Sequence, residues 1–150
     1  VDATAHRFSG AFIRLFTELL DAGQVKLRLI TDDDMYWSWK TRTPIGMNMV
    51  QEAFKVRDLK AKGLELRYIE TNHAERLLQH NKYMIFDTND TDAVFHGAGN
   101  FTSDAFDKNY ENFYFVTIPE VVAAYKAQYT KFWGQMGTAE EKLPSQNITP

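Results

Sequence analysis

His80-Asn81-Lys82-Tyr83-Met84-Ile85-Phe86-Asp87, followed ten residues later by Gly97-Ala98-Gly99-Asn100, is the stretch on which the reading of this chain turns. Residues 79–87 have the pattern of a strand, 88–92 of a turn, and 93–100 of a second strand. On a strand, residues i and i+2 project to one face. That expectation sets the His80 imidazole beside the Lys82 ammonium. An imidazole serves as nucleophile or general acid/base, and a fixed ammonium next to it suits a phosphate oxygen. Asp87 falls on the opposite strand phase and is expected to shape the hairpin. Gly97 and Gly99 let backbone approach a ligand, and Asn100 adds an amide donor. Downstream, Asn109-Tyr110-Glu111-Asn112 supplies a carboxylate able to orient a histidine.

Working outward, the pattern predicts a helix over 9–22 capped by Ser9, with Phe12, Leu15, Phe16, Leu19 and Leu20 at helical spacing. An alternating strand over 25–30 ends in Thr31-Asp32-Asp33-Asp34. A loop rich in aromatic and basic residues covers 35–46. A second helix over 47–62, with Met47, Val50 and Phe54 inward, precedes a strand over 64–69. After the central hairpin come a short helical turn near 103–106, a strand over 112–118 and a last helix opened by Pro119. The apolar face of that helix is Val122, Tyr125, Tyr129, Phe132 and Trp133. One domain is expected over 1–136, with a polar tail over 137–150. The alternation of helices and strands indicates an α/β class.

Of the 150 residues, 44% are hydrophobic and 25% charged, values of a globular chain with a real core. There is no cysteine, hence no disulfide and no thiolate site. No apolar run approaches the roughly 20 residues that span a bilayer. The net charge of −3 disfavours an all-over cationic nucleic-acid binder. Residues 40–67 nonetheless hold seven basic against three acidic side chains, a local excess suited to a phosphate backbone.

Trp37, Trp39, Lys40 and Arg42, in the loop, are candidates for substrate contact, at a lipid interface or by stacking on bases. His96 is a candidate near the site. Asp32, Asp33 and Asp34 lack the spacing and closing Glu of an EF-hand, so a solvated strand end or helix-cap run is expected. His73, His80 and His96 have no zinc spacing, and His6 and His73 carry no motif.

Taken together, His80-x-Lys82-x4-Asp87, then Gly97-x-x-Asn100, then Asn109-x-Glu111, resemble the signature of the phospholipase D superfamily. The resemblance spans most of the chain. Two features depart from the family pattern: Ala98 stands where a Ser is usual, removing a hydroxyl that helps bind phosphate, and the Asp87–Gly97 connection is about three residues longer, which a longer hairpin absorbs. The resemblance implies a mixed β-sheet flanked by α-helices on both faces. It also implies phosphodiester cleavage without metal or cofactor, through a phosphohistidine. His80, Lys82, Asn100 and Glu111 would carry the chemistry, with Asp87, Gly97 and Asn109 in support.

The family builds its site from two motif copies, one histidine attacking phosphorus and the other protonating the leaving oxygen. This sequence has one. The resemblance therefore implies a partner motif, from a homodimer mate or from a missing half of a longer protein. The start at Val1, which a removed leader would equally explain, keeps the second route open. Three functions follow: hydrolysis of phospholipid head-group phosphodiesters, slightly favoured because no concentrated basic tract is present; a dimeric endonuclease cleaving DNA or RNA; and a non-catalytic phosphate-binding half-domain.

Overall fold

The computed structural model describes residues 1–46, 49–71 and 77–144. In chain order the elements are β1 Asp2–Thr4, α1 Ala11–Asp21, β2 Arg28–Asp32, α2 Asp33–Thr41, α3 Val50–Ala61, β3 Glu65–Ile69, β4 Tyr83–Phe86, β5 Ala93–Gly97, α4 Ser103–Asp107, β6 Phe113–Val116, α5 Pro119–Lys131 and β7 Gly137–Thr138. The seven strands form one mixed sheet in the order β6-β5-β4-β1-β2-β3-β7. β1, β2 and β3 run parallel, which is why helices connect them. β4, β5 and β6 form an antiparallel meander added beside β1.

Strand alternation sends side chains to two cores. Ala3, Leu29 and Met84 pack with Ile13 and Phe16 of α1 and Val56 and Leu59 of α3. Ile30, Tyr83, Ile85 and Val94 pack against Tyr129 of α5 on the other face. The expected α/β sheet with helices on both faces is what forms, and the apolar face read for α5 is the one buried.

Several expectations are corrected. The loop expected over 35–46 is largely helix: the Asp32 side chain accepts the Asp34 amide and starts α2, and Asp33 and Asp34 sit at its positive end. The acidic triplet is not solvated, since all three residues are buried. α1 begins after Gly10 with no side-chain cap, so Ser9 does not cap it. The buried face of α3 is Glu52, Ala53, Val56 and Leu59, with Phe54 only partly buried; Met47 lies outside the described residues. β4 starts at Tyr83, so His80 and Lys82 precede the strand. Residues 137–143 are not a free tail. A widened helical turn, Phe132–Met136, delivers β7 onto the edge of β3, and Glu140 pairs with Arg57 and Lys60.

Candidate active site

Register explains why separated motifs converge. β1 and β4 are antiparallel, with Thr4 opposite Tyr83. The carboxyl end of β1 therefore adjoins the amino end of β4, where His80, Asn81 and Lys82 enter. Tyr83 faces His96, and Gly97 faces Phe113. The turn of Ala98, Gly99 and Asn100 and the lead-in of Glu111 and Asn112 thus arrive at the same end of the sheet. Asp87 lies past the opposite end of β4, roughly 16 Å from Lys82 at the usual strand rise. There it approaches Lys126 of α5 at 3.6 Å.

A cavity of about 530 Å³ opens at the convergent end, lined by His80, Lys82, His96, Gly97, Tyr125 and Gln128 among others. The Lys82 side chain curls so that Nζ donates to the His80 carbonyl at 2.8 Å. Lys82 is buried and His80 exposed, so the pair meets through irregular backbone rather than strand alternation. Burial lowers the Lys82 ammonium to a pKa of about 8, against the opposing pull of the Glu111 carboxylate. Partial desolvation against the cavity wall, then the Lys82 charge, also holds His80 below the ordinary imidazole value. His96 stacks on Tyr114 and Tyr125 with ring centroids 5.5 and 5.3 Å apart.

The glycines are required by close approach. A Cβ on Gly97 would overlap the Asn112 carbonyl oxygen, which accepts the Ala98 amide at 3.1 Å. A Cβ on Gly99 would press on the Phe113 ring and lie 3.1 Å from Glu111 Cγ. Gly97→Ala is expected to cost about 1–3 kcal/mol of stability, the usual overpacking range, measured by urea denaturation.

Asn100 keeps its Oδ1 buried with no protein partner among the described residues. Asn109 is exposed, and its backbone amide donates to the Asp104 carbonyl. The four loop candidates do not reach the cavity. Trp37 is a buried residue of α2, Trp39 stacks under the Arg57 guanidinium at 3.8 Å, Lys40 lies over Trp39, and Arg42 lies over Phe54. Trp37 is thus buried and Trp39 half-buried, while Lys40 and Arg42 are exposed. His73 lies outside the described residues.

Sequence reasoning missed a buried polar cluster behind the cavity. Asp32 accepts from the Gln79 amide at 2.9 Å and from Thr71 Oγ1 at 2.9 Å. Asp33 accepts from the Thr71 amide and hydroxyl. Fully buried His6 lies with its ring centroid 5.4 Å from that of His80. The one available signal was position: His6 and Asp32 stand at the carboxyl ends of parallel strands, where α/β sheets gather ligands. Tyr125 and Gln128 had none, because they belong to a helix that reads as core packing.

A family model described as "Cardiolipin synthase, PLD-like domain" matches residues 8–133. The chain belongs to the phospholipase D superfamily. The phospholipase D family member Nuc from Salmonella typhimurium is similar in structure, with TM-score 0.62 and 19% identity over 90% of this chain and 77% of that one. NucT from Helicobacter pylori is similar with TM-score 0.66 and 19% identity over 92% of this chain and 80% of that one. At such identity these likenesses carry the fold alone. Comparison with curated protein sequences returns no match. The phospholipase D-like chain thus has the expected fold, with its signature residues distributed as the register dictates.

Proposed function

We propose that this phospholipase D-like chain is a metal-independent phosphodiesterase acting on phospholipid head groups through a phosphohistidine on His80. The observation that carries this reading is the convergence of His80, Lys82, Asn100 and Glu111 on one end of the sheet. In the proposed reaction a His80 nitrogen forms a bond to phosphorus as the P–O bond to the leaving group breaks. The leaving oxygen takes its proton from the histidine of a second motif copy. Water then attacks phosphorus, gives its proton to that same histidine, and the P–N bond breaks. Lys82 and Asn100 hold the non-bridging oxygens, where preorganised donors stabilise developing charge. Glu111 balances the Lys82 ammonium and keeps it charged.

The distribution of cations favours a single phosphodiester over a polyanion. Among the described residues that line the cavity, Lys82 is the one lysine or arginine. In the basic stretch, Arg57 and Lys60 engage Glu140, Lys62 engages Asp21, and Arg67 donates to the Trp133 carbonyl. Nucleic-acid binding rests on several phosphates neutralised together. Tyr110, beside Glu111, and Tyr114, against His96, stand exposed at the site and suit a head-group interface, where one end of a ring is apolar and the other wet.

The test combines molar mass in solution with hydrolysis of bis(p-nitrophenyl) phosphate in EDTA. A dimer with EDTA-resistant activity is expected. Phosphatidylcholine vesicles and a single-stranded oligonucleotide are then compared. Faster cleavage of the oligonucleotide would overturn the lipid assignment and favour the nuclease reading. An inactive monomer would mean that the second motif must come from another polypeptide segment.

A further inference from the structure

His80 sits in backbone that has no strand ladder. The ladder of β4 begins only at Tyr83, so residues 79–82 need other anchors. Gln79 supplies them, and every one of its polar groups is held. Its amide donates to Asp32 Oδ2 at 2.9 Å. Its side-chain Nε2 donates to Thr4 Oγ1 at 2.6 Å, and its Oε1 accepts the Asn81 amide at 2.6 Å. Its carbonyl, the one that joins it to His80, lies 3.2 Å from His6 Nδ1. A carbonyl only accepts, so Nδ1 carries the proton.

The His6 ring also underlies the His80 ring, with centroids 5.4 Å apart and planes inclined at 55°. One ring is fully buried and the other opens to the cavity. We infer that His6 is a positioning residue for His80: it fixes the peptide that carries the reactive imidazole and forms the surface on which that imidazole rests. The inference rests on the reading of His80 as the nucleophile.

A plain packing role would suit an aromatic ring better. His6 leaves Nε2 buried with no protein partner among the described residues, a cost on the order of 1–3 kcal/mol for such a group. The compensating gain is a donor at the Gln79 carbonyl that phenylalanine lacks. The charged groups facing the pair are Asp32, with a carboxylate oxygen 3.8 Å from His6 Nδ1, and Lys82, which bears on both rings; Glu111 in turn faces Lys82. Burial outweighs Asp32 and holds His6 below the ordinary imidazole value. The ring behind the nucleophile is therefore neutral, and it adds no second positive charge beside the Lys82 ammonium.

The test uses His6→Phe, which keeps a ring and removes the donor, and His6→Asn, whose amide restores a donor near the Nδ1 position. Steady-state kinetics with bis(p-nitrophenyl) phosphate are read beside the NMR titration of the His80 imidazole. Among the chain's four histidines, the His80 signals are identified by their loss in His80→Ala. For His6→Phe, kcat is expected to fall about 10- to 100-fold with KM nearly unchanged, as for a reactive group displaced by about 1 Å. The His80 midpoint is expected to move up toward the ordinary 6.5, carrying the acid limb of the rate profile with it. His6→Asn is expected to recover part of kcat.

Wild-type kcat and unchanged His80 signals in His6→Phe would overturn the proposal. So would equal loss of kcat and thermal stability in both variants with the His80 signals unmoved. Should His6→Phe fail to fold, His6→Leu, which also removes the donor, decides in its place: a reduced kcat with displaced His80 signals supports the role, and wild-type values overturn it. If instead His80→Ala keeps the wild-type activity, the nucleophile assignment fails, and the His80 signals still report whether His6 orients that ring. If the wild type is an inactive monomer, displaced His80 signals in His6→Phe support the role and unmoved ones overturn it.

Discussion

His80→Ala is expected to remove phosphodiester hydrolysis, with kcat reduced on the order of 10,000-fold or more, the scale seen when a nucleophile is deleted from a unit that acts together. Among the described residues, no side chain near the cavity is placed to substitute for it. The His6 ring is 5.4 Å away but fully buried, and its Nδ1 is committed to the Gln79 carbonyl. His96 is held between Tyr114 and Tyr125. Substrate binding should persist, because Lys82 and Asn100 remain. The measurement is hydrolysis of bis(p-nitrophenyl) phosphate in EDTA together with retention of a non-hydrolysable phosphonate analogue. Loss of turnover with retained binding is the expected pattern; undiminished turnover in the variant would sink the phosphohistidine reading. The wild-type rate should also fall at acid pH. As pH drops through the lowered His80 value, the imidazole takes a proton and loses the lone pair that attacks phosphorus.

Lys82→Met carries the second large effect, and it has two opposite signs. Removing the ammonium that faces the non-bridging oxygens is expected to lower kcat about 100- to 1,000-fold, as for loss of one preorganised donor. The same change should stabilise the fold. The Lys82 pKa is lowered by burial from 10.5 to about 8, so the folded state disfavours the proton that the unfolded chain holds. That penalty is fully present below pH 8 and is relieved as pH rises from 8 toward 10.5. Methionine removes it, with a gain of about 1–3 kcal/mol at pH 7. Thermal melts of both proteins at pH 7 and pH 10 check this, and the gap should narrow at the higher pH. The alkaline limb of the wild-type rate profile should fall near pH 8, where the ammonium deprotonates, and disappear in the variant. A variant less stable than the wild type at pH 7 would show that the hydrogen bond to the His80 carbonyl outweighs the desolvation of the charge.

The signature residues proposed for the chemistry were legible because their spacing is local. His80, Lys82 and Asp87 are read from eight consecutive residues, and Gly97 and Asn100 from four. The last helix was legible for a similar reason: Pro119 opens it and its apolar side chains recur at helical period. The stretch from Met35 to Gly46 was not. Its aromatic and basic composition is equally that of a surface loop. What makes residues 33–41 a helix is the Asp32 cap, and Trp37 is buried within it. The acidic triplet looked solvated because its partners, the Thr71 hydroxyl and the Gln79 amide, lie nearly forty and nearly fifty residues away.

By itself, the amino-acid sequence determined the class of fold, the superfamily signature, and which imidazole and ammonium stand together, since each depends on periodicity or on short spacing. Only the tertiary structure decided what surrounds them. Antiparallel pairing of β1 with β4 brings His6 beneath His80 across a separation of 74 residues, while α5 supplies Tyr125 and Gln128 to the cavity wall. Strand register is set by the whole pattern of buried faces in the sheet, so no local run of residues contains it.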